Sequence, residues 1–208
     1  MSNTVSESNG ETDFGSGGEM LLPNVTDASG TVHHLAVGAG KDGNLYVVDR
    51  DNMGKFNASN DNAIYQQLNG ALPGGVWSAP AYFNNTVYYG SVGQPLKAFP
   101  ISNAKLAMTA SSQSATQFGY PGTTPSVSSS GTANGIVWAI QNGSSTGVLH
   151  AYDATNLASE LYNSNMAAGS RDSFATSTND KFVTPLIANG KVYVGTPNAV
   201  VVFGLLTR

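Results

Sequence analysis

The sequence predicts an all-β protein, a β-propeller assembled from four repeat units, and three recurring strings predict it. A strand-length apolar run returns as Leu45-Tyr46-Val47-Val48-Asp49, Leu96-Lys97-Ala98-Phe99-Pro100, Leu149-His150-Ala151-Tyr152-Asp153 and Val200-Val201-Val202-Phe203-Gly204. Ahead of each stands a second run: Leu35-Ala36-Val37-Gly38, Val87-Tyr88-Tyr89-Gly90, Val137-Trp138-Ala139-Ile140 and Val192-Tyr193-Val194-Gly195. Further upstream is a third, marked by proline: Leu22-Pro23-Asn24-Val25, Ala79-Pro80-Ala81-Tyr82, Thr124-Pro125-Ser126-Val127 and Thr184-Pro185-Leu186-Ile187. Three or four short strands recurring every 45 to 60 residues or so (~50) form the pattern of propeller blades.

Taken in order, residues 1–12 are polar and aperiodic and read as a flexible tail. The propeller segment then covers 13–208, in units of about 13–69, 70–119, 120–166 and 167–208. Unit one has strands around Met20 to Val25, His34 to Ala39 and Asn44 to Asp49, closed by an outer strand Ala63 to Leu68. Asn69-Gly70 and Pro73-Gly74-Gly75 are turn signals that open unit two. Its strands are Val76 to Phe83, Thr86 to Val92 and Leu96 to Pro100, with a weaker outer one near Leu106 to Thr109 and a polar loop from Ala110 to Gly119.

Unit three runs through Pro125 to Ser128, Gly135 to Gln141, Val148 to Asp153 and Glu160 to Asn163, and Asn156 to Leu161 reads as one turn of helix. A polar connection from Ala167 to Asp180 leads to unit four, at Lys181 to Ile187, Lys191 to Thr196 and Val200 to Leu206. That unit shows no outer strand of its own, so the ring is expected to be partial or open with an incomplete last blade. Asn52, Asn103 and Asn156 each follow the third strand at the same spacing. Asn tolerates left-handed backbone and caps turns through its side chain, which makes it a turn device. Pro23, Pro80, Pro125 and Pro185 are expected at equivalent places on the innermost strands, where Pro costs no ladder bond.

Composition narrows the function. The 208 residues carry 13 acidic and 9 basic side chains for a net charge of −4, which leaves no positive footprint for nucleic acid. Charged residues are 11 %, but 40 % are hydrophobic and fall in strand-length runs, a distribution that disorder does not produce. No stretch approaches the ~20 apolar residues of a membrane-spanning helix. Cysteine is absent, which removes disulfides, zinc-thiolate sites and thiol catalysis. The first residues hold neither the basic nor the apolar stretch of a secretory leader. Two readings follow, a protein kept inside the cell or a piece whose leader lies outside this chain.

Local motifs resolve into turns more readily than into chemistry. Gly38-Ala39-Gly40-Lys41-Asp42-Gly43 spells a dinucleotide fingerprint, but a strand follows it where the fingerprint needs a helix, so it is a hairpin turn. Asp49-Arg50-Asp51-Asn52-Met53-Gly54 begins like a calcium loop and then places Met53 and Asn60 where oxygen donors belong. A looser ion site on Asp49 and Asp51 competes there with a capped turn. His33 and His34 alternate faces on a strand, and no third ligand stands at metal spacing. Among the aromatics at matching strand positions, Trp77 follows Gly74-Gly75 at the mouth of an innermost strand. It is the candidate to face a ligand, by stacking on a sugar or a peptide.

Ala151-Tyr152-Asp153-Ala154-Thr155-Asn156, with Gly190-Lys191-Val192-Tyr193-Val194-Gly195-Thr196, resembles the pyrroloquinoline-quinone (PQQ) enzyme repeat over about residues 13–206. That repeat builds quinoprotein alcohol dehydrogenase-like propellers and non-catalytic relatives, assembly scaffolds of the bacterial envelope among them. The resemblance implies the carboxy-terminal part of a larger secreted or periplasmic bacterial propeller. The family's Gly shortly after the Asp and its docking Trp four residues later are replaced here, by Leu157 and Leu161 in unit three and by Met53 and Asn57 in unit one, and the dehydrogenases' cysteine pair has no counterpart. The expectation is a non-catalytic binding or scaffold module with a protein or glycan ligand, completed by further blades or by self-association through bare blade edges. The alternatives are a fragment of a PQQ-dependent oxidoreductase and a glycan- or calcium-binding propeller, the only readings in which PQQ or calcium enters.

Overall fold

A computed structural model describes residues 2–178 and 180–205. Antiparallel sheets follow one another along the chain as blades. Blade one contains β1 (Met20–Leu21), then a small separate hairpin of β2 (Val25–Thr26) and β3 (Val32–His33), then β4 (Leu35–Ala39), β5 (Leu45–Asp49) and β6 (Gln66–Leu68). Its sheet order is β1-β4-β5-β6. Blade two has β7 (Ala81–Phe83), β8 (Thr86–Gly90), β9 (Gln94–Ser102), β10 (Lys105–Leu106) and β11 (Ser112–Phe118), with β11 pairing along β9. Blade three is β12 (Ser126–Ser130), β13 (Ala133–Gln141), β14 (Thr146–Asp153) and β15 (Asn156–Asn163), and β16 (Phe174–Ala175) adds to the far end of β14. Blade four holds three strands, β17 (Leu186–Ala188), β18 (Lys191–Gly195) and β19 (Val200–Phe203), with no fourth among the described residues.

Sequence chemistry explains the hairpins. Asn84-Asn85, Asn103-Ala104 and Asn189-Gly190 each supply two consecutive residues at positive φ, the backbone of a two-residue turn that matches strand twist. Alternation then sorts the two faces of every sheet, since successive side chains point opposite ways. One apolar cluster joins blades one and two (Leu35, Val37, Leu45 and Val47 against Val87, Tyr89 and Phe99). A second joins two and three (Tyr88, Leu96 and Phe118 against Val137, Tyr152 and Leu157). A third joins three and four (Ile140, Leu149 and Phe174 against Val192, Val194 and Phe203). Four blades with three such junctions form a partial, open propeller.

Several expectations change. The stretch Ala110 to Gly119 is not a loop, because it contains β11, the outer strand of blade two. Its buried positions are Ser114 and Phe118, with Thr116 half-buried between them, while Gln113, Ala115 and Gln117 are exposed. Asn156 to Leu161 is strand β15 and not a helical turn, with Leu157 wholly buried between blades and Leu161 exposed. The connection after Ala167 contributes β16 to blade three. The last strand is Val200–Phe203, and the expected end at Leu206 lies outside the described residues.

Within the stretch read as a tail, Thr4–Asn9 is a helix, α1. It is held from outside itself, because Ser2 donates through its backbone N–H and its hydroxyl to the Asp61 carboxylate at 2.6 and 2.9 Å. Phe14 then packs edge-on to Tyr46, with ring centroids 5.4 Å apart. Pro80, Pro125 and Pro185 each directly precede their inner strand. Pro23 does not share that place, since the pairing of Met20 with Val37 puts Glu19 there.

Candidate functional site

The segments that lead into the inner strands of blades two, three and four meet at one end of the array. Gly74 and Gly75 both have positive φ, and a Cβ on Gly74 would come within 2.1 Å of the Val92 carbonyl oxygen, so only glycine lets the chain turn there. The turn delivers Trp77, half-buried, against Tyr120 from the next blade, ring centroids 5.5 Å apart at 74°. Lys181 from blade four places Nζ 5.1 Å from the centre of the Tyr120 ring, within cation–π range. Phe182 beside it is 54 % exposed and Tyr120 53 %. Phe182 also sits at φ 64°, a left-handed conformation that costs a bulky residue energy and concentrates at functional positions.

Behind this aromatic rim lies a recess of about 10 Å³ lined by Ser78, Pro121, Thr124, Ile140, Asn142 and Val183, enough for one water molecule. Polar bonds fix its walls. Ser78 Oγ donates to the Gly90 carbonyl at 3.1 Å, Asn142 Nδ2 to the Asp180 carbonyl at 2.8 Å, and Ser126 Oγ to the Pro185 carbonyl at 2.6 Å. The result is a shallow platform of exposed rings with one cation, suited to stacking on a flat or extended ligand. PQQ, a planar tricarboxylate, does not fit the recess, whose lining has no Lys or Arg and no depth for a ring system.

The other sequence candidates lie elsewhere. Asp49 ends β5 and accepts the Asp51 backbone N–H at 2.9 Å, an Asx turn. Asp51 is exposed and pairs with His34 Nδ1 at 2.6 Å. His33 Nε2 faces Asp27 at 2.8 Å, and His150 Nδ1 faces Glu160 at 2.5 Å. Among the described residues no three His, Asp or Glu side chains gather as metal ligands. A second hollow, of about 170 Å³, lies between the amino-terminal segment and blade one, against Phe14, Tyr46, Met53, Lys55, Asp61 and Ile64.

The structure brings Trp77, singled out in the sequence, together with Tyr120, Lys181 and Phe182, which were not. The signal was present: Phe182 stands before Pro185 at the spacing of Trp77 before Pro80, and Tyr120 lies just ahead of Pro125.

No protein-family model matches the chain, and no curated relative matches it in sequence. Its likeness is to solved structures. BamB from Moraxella catarrhalis, a β-propeller, superposes with a TM-score of 0.51 at 15 % identity, over 90 % of this chain. The chain spans about half of BamB, 46 % of its length. The computationally designed proteins Ika4 and Ika8 align at TM-scores of 0.47 and 0.48 with 15 % and 13 % identity. Those alignments cover 82 % of this chain and 85 % of Ika4, and 89 % of this chain and 46 % of Ika8. At 15 % identity the likeness to BamB is one of fold. No helix among the described residues is long and apolar enough to cross a membrane.

Proposed function

We propose that this chain is a non-catalytic binding or scaffold module of the bacterial envelope, and that it holds a protein or glycan chain on the platform of Trp77, Tyr120, Lys181 and Phe182. The observation that carries the reading is the convergence of three consecutive blades on one exposed aromatic rim over a recess too small to enclose a substrate. Large rings at low entropy cost are what binding surfaces use, and Trp and Tyr dominate measured hot spots. The PQQ-type repeat and the propeller fold support the envelope-scaffold reading by analogy.

The test is binding of the tagged chain to peptide and glycan arrays, beside a variant carrying Trp77→Ala and Tyr120→Ala. Each lost anchor is expected to cost ~2 kcal/mol, a loss of about thirtyfold in affinity. Signals unchanged in the double variant would remove the platform from the function. PQQ-dependent dye reduction with alcohols or sugars, lost on altering the recess, would replace the scaffold reading with the oxidoreductase one.

A further inference from the structure

The aromatic rim stands over a polar atom that the fold leaves free. Asn142, one residue past β13, lines the recess and donates through Nδ2 to the Asp180 carbonyl at 2.8 Å. A carbonyl only accepts, so this bond fixes which end of the amide is nitrogen. The other end, Oδ1, is buried and has no hydrogen-bond partner among the described residues. A buried acceptor left unpaired costs free energy, and folded proteins almost always supply its partner.

The space for that partner is small. The recess holds about 10 Å³, one water-sized group. Ser78 Oγ is committed to the Gly90 carbonyl, which leaves the Asn142 oxygen and the Thr124 hydroxyl as the polar side-chain groups of the lining that a guest can meet. Phe182 belongs to both parts of the site, since it lines the recess and is 54 % exposed. A stacking surface and a hydrogen-bond acceptor are therefore offered side by side.

We propose that the ligand of the platform is a glycan, one hydroxyl of which enters the recess and donates to Asn142 Oδ1 while the apolar face of a sugar ring lies on the aromatic rim. This rests on the platform being the binding surface. A sugar residue carries both matching features at once, a C–H face for an aromatic ring and a hydroxyl that can take the place of a water and reproduce its hydrogen bonds. A peptide backbone N–H is flanked by Cα and carbonyl groups, too bulky for a space of one water. A serine hydroxyl is small enough, but it brings no ring face. Lys181, with Nζ 5.1 Å from the centre of the Tyr120 ring, adds donors at the rim for further sugar oxygens.

The full chain on oligosaccharide and peptide arrays, followed by isothermal titration with the best-held oligosaccharide and its monodeoxy series, tests this. Removing one particular hydroxyl is expected to weaken binding about tenfold. Asn142→Ala is expected to weaken the parent sugar to the same extent, and the two losses should not add when combined. Because Asn142→Ala also frees the Asp180 carbonyl, circular dichroism checks its fold, and the deoxy series on the wild-type chain decides the question if the variant does not fold. Peptides held with no oligosaccharide overturn the proposal, as do monodeoxy analogues that all bind like the parent or losses that simply add. In those cases Trp77→Ala with Tyr120→Ala still lowers binding, and the platform stands. Binding indifferent to that double variant, or none on either array, overturns both.

Discussion

Asp172 accepts hydrogen bonds from Arg171 Nε and Nη2 at 2.7 and 2.9 Å and from the Tyr162 hydroxyl at 2.6 Å. The guanidinium first, and the phenol second, hold its carboxyl down to about 2. A carboxylate with a depressed folded value adds stability above its unfolded value and loses it as pH falls through the folded one. The Asp172→Asn variant is thus expected to be less stable than wild type at neutral pH. The gap should shrink as pH drops below ~4 and close near the folded value of about 2. Urea denaturation of both proteins at neutral and acid pH measures it, and a gap independent of pH would refute the assignment. None of this was legible in the sequence, where Arg171-Asp172 is one adjacent pair in a polar connection, and the reach of Tyr162 to it exists only after β15 folds. The same holds for the platform: Trp77 stood out because a glycine pair precedes it, while Tyr120 and Lys181 acquire meaning only when consecutive blades bring them over one another.

At the scale of elements, β9 and β14 share a device that periodicity could not reveal. The Leu96 amide donates to Ser114 Oγ at 3.0 Å and the Leu149 amide to Ser164 Oγ at 3.2 Å, in register-equivalent positions. Both serines are buried, and each satisfies a backbone group that the outer strand leaves unpaired, Ser114 at an irregularity of the β9–β11 ladder and Ser164 just past the end of β15. Replacing either by Ala strands a buried N–H, so Ser114→Ala and Ser164→Ala are each expected to cost ~1–3 kcal/mol in chemical denaturation. Losses within the scatter of ordinary surface substitutions would show that water fills the vacancy. The central strands of every blade were readable, because Val, Tyr and Leu alternate there with turn residues at both ends. The outer strand β11 was not, since Ser112–Phe118 buries only Ser114 and Phe118 strongly, and a polar strand on a blade's rim has the composition of a loop. Helix α1 escaped for a different reason: six residues are too few for a helical period, and an external bond from Ser2 to Asp61 fixes its start.

For the whole molecule, the open array sets a pattern of stability that a closed ring would not. Leu45, Leu96 and Leu149 fill three junctions at equivalent positions, and truncating any of them leaves a cavity between sheets. Leu45→Ala, Leu96→Ala and Leu149→Ala are each expected to cost ~2–5 kcal/mol. Val200 holds the fourth equivalent position, paired with Gly195, and is 64 % exposed with no blade over it among the described residues, so in the monomer Val200→Ala should stay within about 0.5 kcal/mol of wild type. The comparison has to be made in dilute solution, where mass action removes any stabilisation by a second copy. A cost at Val200 that matches the leucines under those conditions would mean that blade four is covered within its own chain and the ring is closed. A cost that appears only as concentration rises would assign the same burial to a contact between copies.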